Sequence, residues 1–283
     1  MTGMETDPRI WITALRQSHE RLAALTAKLA PGQLRAQSYC RDWTNAQVLS
    51  HVGSGAEIAL MMLPGALGDT ELVSTDAFRP VWDTWNAKSP DEQAADALPA
   101  DERYVQALEQ LSDEQLTAIR LPFHGLELDA VGVVRLRLSE HAMHTWDIAV
   151  YTDPAATVAA DAAGLLVDNV PVFLAPRLGK PPERPYRARI RVSHPARDYL
   201  LTTGEAVAMT DWPGDGDSAD ANGASRPDRA SSPEAAGRTA EVSMSAEALL
   251  RLMYGRLDAG HTPAAVVADA GDLDKLREIF PGF

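Results

Sequence analysis

The segment Glu140-His141-Ala142-Met143-His144 carries two side chains that could share an ion. Glu140 and His144 stand four apart, and on a helix that spacing projects both from one face, about one turn from each other. Two such groups can chelate a divalent cation. Asp147 follows three residues beyond His144 on the same side, where a carboxylate can take the far imidazole N–H and fix the ring orientation. A second segment offers His51, flanked by Val48 and Val52 and followed by Gly53 and Gly55. Two imidazoles, one carboxylate and an open fourth position are the donor set of a catalytic zinc rather than a structural one. The same set also suits Fe(II), as the second choice. Spacing alone leaves a plainer alternative open, in which the histidines are satisfied core or solvated residues and Glu140 sits on a wet helix face. His141 points about 100° round the helix from Glu140 and is not aligned with His144. His19, His124, His194 and His261 have no partner pattern and read as surface residues. Cys40, with no histidine near it in sequence, reads as a bystander.

These residues must be positioned by helices. The chain has 283 residues, 45% of them hydrophobic and 23% charged, which is enough for two domains with their own cores. Twenty-six basic against forty acidic residues leave a net charge of −14, which speaks against nucleic acid or an anionic membrane as partner. The single cysteine, the polar N-terminus and the lack of a long apolar run lead us to expect a cytoplasmic protein. Asp7-Pro8 opens a helix with a stripe at Trp11, Leu15, Leu22, Leu25 and Leu29. Thr44-Asn45-Ala46-Gln47 is a capping box for a second helix that the sequence ends at Pro64-Gly65. A third opens at the capping box Ser89-Pro90-Asp91-Glu92 and is expected to break at Pro99. A fourth spans Ala130 to Tyr151 with Asp129 as cap. The reading is a four-helix bundle over 1–154, then a helix and proline-rich connector over 155–185. Period-two alternation at 187–192 then marks a strand, and a small α+β domain occupies 186–283. Ala265 to Ala268 reads as its last short strand. Residues 213–238 lack large apolar side chains and are expected to be disordered. Arg187, Arg189 and Arg191 share a strand face and read as solvated. Arg79 is a weaker candidate for binding an acid, and Trp82 or Trp85 could wall a pocket.

Asp42-Trp43-Thr44 with Val48-Leu49-Ser50-His51-Val52, followed by Glu140-His141-Ala142-Met143-His144-Thr145-Trp146-Asp147, resembles the mycothiol-dependent maleylpyruvate isomerase family of actinobacteria. That family belongs to the DinB-like metal-binding bundles. The run Ala248 to Leu257 resembles the family's second domain, which has a sterol-carrier-like α+β fold. The resemblance implies a two-domain α+β enzyme, with zinc held by His51, Glu140 and His144 and mycothiol as co-substrate. It also implies that Arg256 acts on the substrate. An arginine just past a glycine C-cap could bind a carboxylate in bidentate fashion or merely complement a helix end, and both readings stay open. The implied chemistry is attack of a metal-stabilised thiolate on an unsaturated or electrophilic small acid, by cis–trans isomerisation or thiol transfer. A metal-dependent hydrolase using zinc-bound water and a non-catalytic small-molecule binder are the alternatives. The long insert at 213–238 and the Trp-rich stretch from Phe78 to Pro90 depart from the family pattern and leave the substrate open. Oligomeric state is not legible.

Overall fold

In a computed structural model of the chain, residues 5–214 and 238–282 are described. The chain divides into two compact units, Met1–Leu165 and Leu166–Phe283. The expected disordered insert lies almost wholly outside the described residues. The first unit is built on four long helices, α1 (Pro8–Thr26), α2 (Asn45–Leu67), α4 (Pro90–Gln110) and α5 (Ala130–Thr152), with a shorter α3 (Phe78–Asn86) between the second and third of them. Each long helix begins where the sequence offers a cap. Asp7 accepts from the Arg9 N–H, Thr44 from Gln47, Ser89 from Glu92 and Asp129 from Gly132, which satisfies donors the first turn leaves unpaired. Their apolar faces meet in a core that includes Trp11, Leu15, Val48, Leu49, Tyr104, Leu108, Leu138 and Trp146, all at most 1% exposed.

Two expected helix breaks do not occur. α2 continues through Pro64 to Leu67 and ends on Gly68 at φ 83°, and α4 runs straight through Pro99. At Pro99 the ring removes the donor to the Ala95 carbonyl, but both residues are exposed, while Ala97 and Ala100 on the opposite face are fully buried. Packing on that buried face outweighs the lost bond. A two-stranded hairpin not anticipated from the sequence, β1 (Leu121–Phe123) and β2 (Leu126–Leu128), precedes α5. It turns at His124-Gly125, both at positive φ, as the tightest hairpin turns require.

The second unit is a four-stranded sheet in the order β5-β4-β3-β6, from β3 (Arg187–Ser193), β4 (Arg197–Thr203), β5 (Val207–Asp211) and β6 (Ala240–Ser245). β3, β4 and β5 are antiparallel neighbours, and β3 pairs with β6 in parallel. Ala188, Ile190 and Val192 point into the core, with the arginines between them on the other face, as alternation predicts. Arg189 pairs with Asp198 and Arg191 with Glu241. Helices α6 (Ala246–Met253) and α7 (Ala270–Ile279) belong to the same unit, as do the helical turns over Val170–Leu174 and Ala175–Leu178. Gly255 follows α6 at φ 69°, and a Cβ there would stand 2.6 Å from the Gly282 backbone, so the cap and the close approach both require glycine. The strand expected at Ala265 to Ala268 is instead a single bridge between Val267 and Ser243, with Val267 largely exposed.

Candidate metal centre

His51 projects from α2 and Glu140 and His144 from α5. The His51 Nε2 lies 3.1 Å from Glu140 Oε2, and the His144 Nε2 lies 3.4 Å from the same oxygen. One carboxylate oxygen thus faces both imidazoles, which stand edge to face with centroids 4.8 Å apart. His144 is buried, whereas His51 and Glu140 keep 38% and 47% of their side chains exposed, so the centre opens to solvent on one side. The indole of Trp43 packs beside both rings, at 5.0 Å from His51 and 6.1 Å from His144. On the far side of its ring, His144 Nδ1 meets Asp147 Oδ2 at 2.9 Å, and Asp147 is fully buried. Asp147 thus contacts the ring nitrogen that faces away from Glu140. Partial desolvation pushes the half-exposed Glu140 carboxyl up, but hydrogen bonds from His144 and His51 outweigh it and hold it below the ordinary carboxylate range. For His144 burial acts downward and is outweighed by hydrogen bonds with Asp147, Cys40 and Glu140, which hold the imidazole well above its usual value.

The approach of α2 to α5 is set by a buried polar network deeper in the bundle. Arg137 on α5 donates 2.8 Å to the Val52 carbonyl, next to His51, and also to Asp101 on α4. Asp101 Oδ2 further accepts from His19 Nδ1 and His141 Nε2, each at 2.8 Å, and Ser18 Oγ lies 3.0 Å from His141 Nδ1. His19 is therefore a buried network member and not a surface residue, because its partner comes from a helix eighty-two residues away. Burial alone would raise Asp101; His141 and then Arg137 outweigh it and keep the carboxyl well below its usual range. The glycines of α2 serve this packing. A Cβ on Gly53 would strike the Trp85 ring at 2.4 Å and Ala97 Cα at 2.9 Å, and one on Gly55 would lie 3.0 Å from Arg137 Nη1.

Among the described residues three groups could hold a metal ion: His51/Glu140/His144, His19/Asp101/His141 and Cys40/His144/Asp147. The first fits a divalent cation best. Its donors face one point, it reaches solvent, and the Nδ1 contact with Asp147 leaves His144 Nε2 directed at Glu140. In the second, the Arg137 guanidinium already compensates the carboxylate. The third uses the opposite nitrogen of the same His144 ring. Cys40, read from sequence as a bystander, in fact contacts the Asp147 carboxylate; only the tertiary fold brings residues 107 positions apart together.

Arg256 lies in the second unit, 8% exposed, with Nη1 donating 3.0 Å to the Tyr254 carbonyl. Arg79 and Trp82 are exposed on α3, and Trp85 is buried against α2. His124 and His194 are exposed and His261 half-buried.

Comparison with known proteins follows the same lines. No curated protein matches the chain. A solved structure of a mycothiol-dependent maleylpyruvate isomerase matches with a TM-score of 0.64 at 14% identity, covering 94% of each chain. The structure of a histidine-to-alanine mutant of a mycothiol-dependent maleylpyruvate isomerase matches with a TM-score of 0.61 at 14% identity, over 89% of this chain and 90% of that one. These likenesses establish the mixed helical and sheet fold. The family model described as the mycothiol maleylpyruvate isomerase N-terminal domain matches residues 15–149, the stretch that contains His51, Glu140, His144 and Asp147. Over this stretch, just under half of its length, the chain is similar to the mycothiol maleylpyruvate isomerase family.

Proposed function

We propose that the chain is a zinc-dependent enzyme that uses mycothiol as co-substrate on an unsaturated or electrophilic small acid, by cis–trans isomerisation or thiol transfer. The observation that carries this is the convergence of His51, Glu140 and His144 from two helices around one carboxylate oxygen. The match of residues 15–149 to the family's N-terminal domain and the activity of the structurally similar isomerases support it.

His51, Glu140 and His144 would hold the ion. When bound there, zinc stabilises a thiolate over a free thiol, whose pKa is about 8.5. The chain supplies the rest. Two neutral imidazoles and one carboxylate neutralise half of a divalent charge, so the centre keeps a net positive charge that attracts an anion. Asp147 accepts the Nδ1 proton of His144, so that Nε2 is the nitrogen presented to the ion. Trp43 shields the rings from water on one flank. Arg256 is proposed to bind the acid group of the substrate through its guanidinium. The long acidic excess and the lone cysteine fit a cytoplasmic setting, and no helix among the described residues is long and apolar enough to cross a membrane.

Metal analysis of the purified protein, calorimetry with mycothiol, and turnover of a panel of unsaturated acids that includes maleylpyruvate test the proposal. One zinc per chain, lost in His51→Ala, with mycothiol binding only to the metal-loaded protein, is the expected result. Full metal content in His51→Ala would overturn the ligand set. Metal without any thiol binding would favour the hydrolase or the binder.

A further inference from the structure

The cysteine left without a role by the activity sits directly behind the centre. Cys40 Sγ donates 3.1 Å to Asp147 Oδ2, the same oxygen that takes the His144 Nδ1–H at 2.9 Å. Asp147 has no exposed surface, and a buried carboxylate depends on its donors for stability and orientation. The loop that carries Cys40 is tied at several points. Tyr39 N–H donates 3.2 Å to the Asp147 backbone carbonyl, Trp43 N–H donates 2.9 Å to the Cys40 carbonyl, and Gln37 Nε2 donates 2.7 Å to that carbonyl as well. Trp43 at the end of the loop packs on His51 and His144. One short segment thus supplies a donor to the carboxylate behind His144 and an indole beside both imidazoles.

From this geometry we infer that Cys40 is a positioning residue of the metal centre: its thiol fixes the Asp147 carboxylate and, together with it, the His144 ring. The thiol acts here as a hydrogen-bond donor and not as a nucleophile or a ligand, because it points at the carboxylate behind His144 and not at the Nε2 side where Glu140 and His51 converge. The inference rests on the proposed metal-dependent function, and goes beyond it by giving a role to a residue outside the ligand set. An S–H is a weak hydrogen-bonding group beside the Asp147 carboxylate, which is the stronger partner of the same ring. Loss of Cys40 should therefore cost less than the 10- to 100-fold typical of a direct outer partner, about 3- to 10-fold in metal affinity.

Zinc affinity measured by chelator competition on the full chain, together with the visible spectrum of the Co(II)-substituted protein, tests this for wild type, Cys40→Ala, Cys40→Val and Cys40→Ser. Thermal unfolding of the metal-free proteins checks that each folds. Cys40→Ala and Cys40→Val should both bind zinc about 3- to 10-fold more weakly and alter the Co(II) bands, whereas Cys40→Ser, which keeps a donor, should stay within about twofold of wild type. A Cys40→Val protein that matches wild type would make the side chain mere filler and overturn the inference. So would Cys40→Ala binding within twofold of wild type with unchanged bands. Wild-type protein that binds no metal would instead overturn the functional proposal, and this inference with it.

Discussion

Substitution of Asp101 by asparagine probes the frame that brings α2 to α5. Asp101 has no exposed surface and compensates Arg137, which is itself only 9% exposed, while accepting from His19 and His141. Asparagine keeps the shape and one acceptor but removes the charge, so the guanidinium is left buried and uncompensated. Breaking a buried pair from one side costs about 3–5 kcal/mol, which for a unit of this size lowers the melting temperature by roughly 6–20 °C. Replacing Arg137 by methionine in the same protein removes the orphaned charge and should restore about 2 kcal/mol or more. The carboxyl is held below its unfolded value of about 3.9. Its stabilising contribution is thus fully present above about pH 4 and is lost as pH falls through the folded value. Asp101→Asn should flatten that acid limb. Urea titration followed by tryptophan fluorescence reports on the bundle, since every tryptophan except Trp212 lies in the first unit. A cost below about 1 kcal/mol, or no recovery in the double variant, would refute the view that this pair is a buried, mutually dependent frame.

Three further outcomes follow from other contacts. Gly53→Ala should destabilise the first unit by about 1–3 kcal/mol, measured by the same titration, because its methyl would overlap the Trp85 ring and the α4 backbone. Glu140→Gln should weaken zinc by at least about tenfold in a chelator assay while leaving the fold intact, since the residue is half exposed and its role is to face the two imidazoles. Arg256→Lys should leave metal affinity within twofold and lower turnover of an acidic substrate, because a lysine cannot supply the paired donors of a guanidinium; unchanged turnover would remove Arg256 from the proposed substrate contacts.

Helix starts were legible from local chemistry. Asp7, Thr44, Ser89 and Asp129 cap the long helices as their side chains and neighbours predict, because a cap is decided within four residues. Helix ends were less so. Pro64 and Pro99 read as breaks, yet both helices continue, since the face opposite each proline is held by packing that local propensity does not contain. The alternation of 187–192 announced a half-buried strand, but its parallel partner β6 lies beyond an insert of more than twenty residues, and no local rule specifies such a pairing.

The sequence by itself determined the i, i+4 pair of Glu140 and His144 and the placement of Asp147, because those relations follow from helix pitch alone. It also marked His51, but whether that ring would meet the pair depended on how two helices pack. Only the tertiary structure decided that Arg137 and Asp101 lock α2 against α5, that His19 is interior, and that Cys40 reaches Asp147. Such contacts join residues dozens of positions apart. Their energies come from removing charge and hydrogen-bonding groups from water in a shared interior, a condition that no single segment can set.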